Sequence, residues 1–172
     1  GMALMGEKFP EGRPAVLASI AREIVAHALH VLCERKYARP REYVSDKTKI
    51  LAMLITPMTW SYAFSDVFMF LFSVLRALNL AERLFGNSAT LGMARGGYGI
   101  LQMAIPVFRP AIRTHEKALA LREKVNDRWG VAQSLQWLGF CYQWKGECGR
   151  SMEFFSRSSA VFREIGDIRE YA

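Results

Sequence analysis

Glu23, His27 and His30 stand at i, i+4 and i+7, a spacing that gathers three potential metal ligands on one helix face. A metal centre needs a further donor, and the sequence sets no second carboxylate helix against them. They are read as part of an ordinary amphipathic helix, and no metal is assigned. His115 lies in a basic segment with no evident nucleophile to serve. Arg95-Gly96-Gly97-Tyr98-Gly99 is glycine-rich, but it lacks the Lys-Ser/Thr that completes a phosphate loop and no strand precedes it. Glycines at helix contacts are the better reading, and a single Arg-Gly-Gly makes no RNA-binding tract. Cys33, Cys141 and Cys148 are odd in number and without CxxC spacing, which argues against a disulfide framework or a zinc site and for a reducing cytoplasm. No catalytic constellation emerges. The expectation is a non-enzymatic chain with no cofactor, whatever the activity of a longer parent protein.

The residue types suited to recognition lie further along. Counting from Ala132, one face of a helix carries Gln133, Gln136, Phe140, Gln143 and Trp144. Three amides and two aromatic rings suit hydrogen bonding to an extended peptide with apolar anchors. The competing reading is that Phe140 and Trp144 pack against an adjacent helical hairpin.

What must position this face is a repeating frame. Val125-Asn126-Asp127 followed by Ala132 recurs forty residues on as Ile165-Gly166-Asp167 followed by Ala172, and more weakly upstream as Phe85-Gly86-Asn87 followed by Gly92. Each copy has an apolar residue, a turn and a capping Asp or Asn, then a small residue five positions on. Periods of this length mark stacked helical hairpins. Gly99 and Gly139 also fall one period apart. A glycine within a helix costs about 1 kcal/mol of propensity, so the pair points to a repeated close contact.

No segment alternates with period two, and the fold class expected is all-α: an α-solenoid of antiparallel hairpins with about seven helices. Residues 1–13 are an irregular lead-in. Residues 14–86 hold divergent helices: one from Pro14 to about Glu34 with Val16, Leu17, Ile20, Ile24, Ala28, Val31 and Leu32 as its apolar set, and one capped by Ser45 or Asp46 with Ile50, Leu51, Leu54 and Ile55 buried. Pro57 should kink or end the latter early. Ser65-Asp66 opens a third helix. Residues 87–126 and 127–166 are repeat units, and 167–172 begin another. The chain starts with Gly1 and breaks off in mid-unit at Ala172, so a single domain cut from a longer solenoid is expected.

Leu138-Gly139-x-x-Tyr142, Gly146 at a turn, and Phe155 and Ser158 on the following helix resemble the tetratricopeptide repeat. Ser151 replaces its usual Ala, Leu135 its frequent Trp, no proline closes the unit, and the period is longer. Residues 6–10, 78–83, 118–122 and 162–167 further resemble the helical C-terminal region of very large bacterial signalling proteins, in which a predicted NTPase is joined to an adenylate/guanylate cyclase or a Ser/Thr kinase. The resemblance implies a regulatory or scaffolding segment and brings no catalytic residues.

Composition narrows the partner. The 172 residues hold 23 Lys and Arg against 16 Asp and Glu, a net charge of +7, but the basic residues are interleaved with acids. Even the densest run, Arg35 to Lys49, reads as a solvated loop and not a nucleic-acid footprint. Ile50 to Leu75 is long and apolar enough to raise a membrane span. Pro57 and Ser65-Asp66 interrupt it, and a central Asp costs about 2.5–3.5 kcal/mol on insertion, so two buried helices are preferred. The sequence therefore points to a cytoplasmic protein–protein or interdomain interaction module. A membrane-associated protein acting through residues 50–75 is the alternative, and a helical ligand-binding domain using a pocket near Glu23 and His27 is a third.

Overall fold

Short polar turns separate the described helices, and several are built by a local hydrogen-bonding device. Asp66 is the clearest: its Oδ1 accepts from the backbone N–H of Phe68 at 2.9 Å and of Met69 at 3.1 Å, satisfying donors that a helix start leaves orphaned. Ser88 does the same for Leu91 N–H and Asp127 for Gly130 N–H. At the other ends, left-handed backbone closes the helices. Gly86, Asn126 and Gly166 all have positive φ, spaced by the forty-residue register. At Asn126 and Gly166 the next N–H, of Asp127 and of Asp167, reaches back to Arg122 and to Phe162, the wrap that commonly ends a helix.

The structure is a computed structural model and describes residues 9–32, 45–84, 86, 88–105 and 107–171. Cys33, Phe85, Asn87, Pro106, Ala172, the start of the lead-in and the basic run as far as Val44 lie outside the described residues. The described residues form helices α1 (Arg13–Leu32), α2 (Asp46–Ala63), α3 (Val67–Leu84), α4 (Ala89–Ala104), α5 (Phe108–Lys124), α6 (Arg128–Trp144) and α7 (Cys148–Ile165), and a terminal turn, α8 (Ile168–Tyr171). No strand occurs among them. The chain divides into two compact units, Gly1–Gly86 and Asn87–Ala172.

In the first unit, α3 packs against both α1 and α2. Its stripe of Val74, Leu75, Leu78 and Ala81 is almost fully buried. α2 runs through Pro57 to Ala63, so the proline does not end the helix early. Leu51, Ile55 and Thr59, at successive i+4 steps, are all buried, so packing continues on both sides of the proline and offsets the lost backbone bond. Ile50 and Leu54 remain exposed. The apolar stretch 50–75 is thus shared between two helices with a turn at Phe64-Ser65.

The larger correction concerns α1. Of the expected apolar set only Val16 and Ile20 are buried, while Leu17, Ile24, Val31 and Leu32 are between 50% and 80% exposed. Glu23 and His30 are buried instead, at 3% and 7%. The reason lies on α3, which presents Arg76, Asn79 and Glu82. Asn79 Nδ2 donates to both the backbone O and Oε2 of Glu23 at 2.8 Å, and Arg76 Nη1 donates to Oε1 at 3.3 Å. Glu82 Oε2 sits 3.2 Å from His30 Nδ1 and 3.6 Å from His27 Nδ1. A carboxylate helix does therefore face the Glu23–His27–His30 triplet, yet it engages Glu23 through Arg76 and Asn79 and sets Glu82 beside the two histidines. Among the described residues no cluster of His, Cys, Asp or Glu is arranged to hold a metal.

In the second unit, α4 packs on α5, α5 on α6, α6 on α7 and α7 on α8, and α4 also touches α6. Met103, Ala111, Ile112, Leu138, Cys141 and Tyr142 form one cluster of its core. Burial pushes the Cys141 thiol up to about 12, so it is an inert apolar filler there.

Candidate functional site

The forty-residue register acquires atoms in the second unit. A Cβ added to Gly99 on α4 would lie 2.5 Å from the ring of His115 on α5, and one added to Gly139 on α6 would lie 2.7 Å from the ring of Phe155 on α7. Each glycine thus opens a slot for a ring sixteen residues later. The next buried positions correspond as well: Ala118 with Ser158, and Arg122 with Phe162, all within 3% of full burial. Ser158 Oγ donates to Ala132 O at 2.8 Å, tying α7 to α6.

One of the two copies is polar where the other is aromatic. Arg122 is 1% exposed and fills a cradle left by three glycines: Cβ atoms at Gly92, Gly130 and Gly96 would meet it at 2.7, 2.7 and 3.7 Å. Its Nη1 donates to Gly130 O at 2.7 Å, to Ser134 Oγ at 3.0 Å and to Gln133 Oε1 at 3.1 Å, and Nη2 also reaches Gln133 Oε1. Asp127 Oδ2 lies 3.8 Å from Nε. Burial lowers the guanidinium to about 10, against the Asp127 carboxylate that favours its charge. It stays cationic at neutral pH and staples α5 to the start of α6.

His115 is fully buried and stacks on Trp137, with centroids 6.2 Å apart. Neither ring nitrogen finds a hydrogen-bond partner among the described residues. Burial first, then the Arg122 charge, pushes it down to about 3. It is therefore a neutral ring in the place that Phe155 holds one period later. Nothing local in the sequence assigns His115 or Arg122 a role; the signal for both is their register match with Phe155 and Phe162.

The proposed recognition residues part company. Gln133 spends its amide oxygen on Arg122. Phe140 packs among Trp137 at 5.5 Å and Phe155 at 5.0 Å. Gln136 is half-buried, whereas Gln143 is exposed and Trp144 is 57% exposed at the end of α6. The glycine-rich Arg95–Gly99 run is helical within α4. Gly96 and Gly99 face Arg122 and His115, and Gly97 faces open space. Beside α6, Tyr142 stacks on Phe154 at 5.3 Å, with the Arg150 and Arg157 guanidinium carbons each 5.4 Å from one of the two rings.

Comparison with protein-family models, curated proteins and solved structures finds no match.

Proposed function

We propose that the chain is a non-catalytic interaction module built as a tetratricopeptide-like α-solenoid of antiparallel hairpins, working through protein–protein or interdomain contacts in a larger cytoplasmic signalling protein. The observation that carries this reading is the repeated slot, Gly99 with His115 and Gly139 with Phe155. A contact repeated at the sequence period is the physical basis of stacked-repeat folds, and such stacks recognise partners along the face of their first helices. Contact between α4 and α6 is the neighbour relation this requires.

The recognition surface narrows to the outer part of α6. Trp144 is an aromatic anchor held in solvent, and Gln143 and Gln136 supply amides beside it. Gln133 and Phe140 support the surface from within. Pull-down with the wild-type chain and with Gln136→Ala/Trp144→Ala tests the reading. The double variant should keep its helicity and lose the captured partner at least tenfold, as truncation of an aromatic hot spot does. Equal capture by both proteins would remove α6 as the recognition face.

A further inference from the structure

α1 is amphipathic in the wrong direction for a helix that only completes a core. Its inner face buries Val16 and Ile20 near the start, but then Glu23 and His30 against Arg76, Asn79 and Glu82 of α3. Its outer face is apolar: Leu17, Ile24, Val25, Leu29, Val31 and Leu32 are all 48% exposed or more. At 100° per residue these positions fall on one continuous arc, with the small exposed residues Ala21 and Ala28 in its middle. Among the described helices α1 alone has the length and hydropathy of a membrane-crossing segment, yet only 22% of that window is buried, unlike a core helix.

The charges say what covers this arc. Arg13 and Arg22 are exposed and stand at its two margins, and Arg22 touches Glu23 only at 3.6 Å with two thirds of its side chain in solvent. Glu23, the one acid of α1, lies on the opposite face and is buried. The outward surface is therefore apolar with a cationic rim and no carboxylate. We infer that this face of α1 seats in the headgroup–acyl boundary of an anionic lipid bilayer, with the helix lying in the plane of the surface. Side chains of this kind bury apolar area in acyl chains while marginal arginines reach the phosphates.

Other arrangements fit less well. A crossing α1 would draw its α3 partners Arg76 and Glu82 into hydrocarbon, which is costly. A protein partner would find almost no hydrogen-bonding group across the arc, where protein interfaces carry about one per 100–200 Å². Two copies packed α1 to α1 would bring arginine margins together with no exposed acid on either helix to pair with them.

Co-sedimentation of the whole chain with vesicles of phosphatidylcholine, alone or with about 30% phosphatidylserine, tests this. Wild type should pellet with the anionic vesicles. Val25→Gln/Leu29→Gln, at exposed positions that leave the fold intact by circular dichroism, should lower the partition coefficient about tenfold or more. Arg13→Gln/Arg22→Gln should cut binding to anionic vesicles several-fold and leave the weaker binding to phosphatidylcholine unchanged. Met152→Gln, exposed on α7, should bind as wild type. A wild-type chain that stays in the supernatant at millimolar lipid, or a Val25/Leu29 variant that binds like wild type, overturns the proposal. So does a concentration-dependent dimer that the same variant abolishes without any vesicle binding.

Discussion

At the scale of single residues, the glycines of α4 separate packing from propensity. Gly97 and Gly99 share a helix and differ in what an added methyl would meet: nothing within 4 Å at Gly97, the His115 ring at 2.5 Å at Gly99. Gly97→Ala removes the conformational cost of a helical glycine and should stabilise the protein by about 0.5–1 kcal/mol. Gly99→Ala gains the same propensity but must push a fully buried ring out of its slot, and overpacking of that kind costs about 1–3 kcal/mol. Urea denaturation of the two variants should therefore move the midpoint in opposite directions. If both rise, the slot is not occupied as described. The run Arg95–Gly99 is legible as helix-contact glycines because it lacks the residues of a phosphate loop. Which of its glycines makes contact depends on α5, and no residue within the run reveals it.

At the scale of elements, α1 shows why a helical period identifies a helix more securely than its buried face. Its apolar residues recur as a stripe, and beyond Val16 and Ile20 that stripe points outward, because α3 offers Asn79, Arg76 and Glu82 across from Glu23, His27 and His30. Unpaired, a buried carboxylate would be expensive; paired and hydrogen-bonded, it orients the helix. Asn79 is central, since its amide holds both a backbone carbonyl and the Glu23 side chain while itself 3% exposed. Asn79→Ala should destabilise the first unit by about 2–3 kcal/mol, the scale of a lost bond to a buried charge, and raise amide exchange in α1 before α2. Uniform exchange across the unit would show that the polar layer does not anchor α1.

At the scale of the whole molecule, the second unit carries a built-in acid sensitivity. The unfolded chain's His115 takes up a proton near 6.5, while the folded protein refuses it down to about 3. Protonation therefore favours unfolding: the stability is fully present above 6.5 and is lost at about 1.4 kcal/mol per pH unit as pH falls toward 3. His115→Phe, which copies the Phe155 arrangement, should remove this slope and add about 1–3 kcal/mol at neutral pH by deleting unsatisfied ring nitrogens. Denaturation curves from pH 7 to pH 4 for both proteins check it, and parallel curves would contradict it. The amino-acid sequence by itself determined the all-helical class, the caps at Asp66 and Asp127 and the forty-residue register, because these rest on local hydrogen bonds and on spacing along the chain. Only tertiary structure decided which face of each helix is inside. That choice depends on residues far apart in sequence: Asn79 turns Glu23 inward, and Gly92 and Gly130 make room for Arg122 where the neighbouring copy buries Phe162. A side chain's burial is set by the element packed across from it, and a helical period is indifferent to what that element carries.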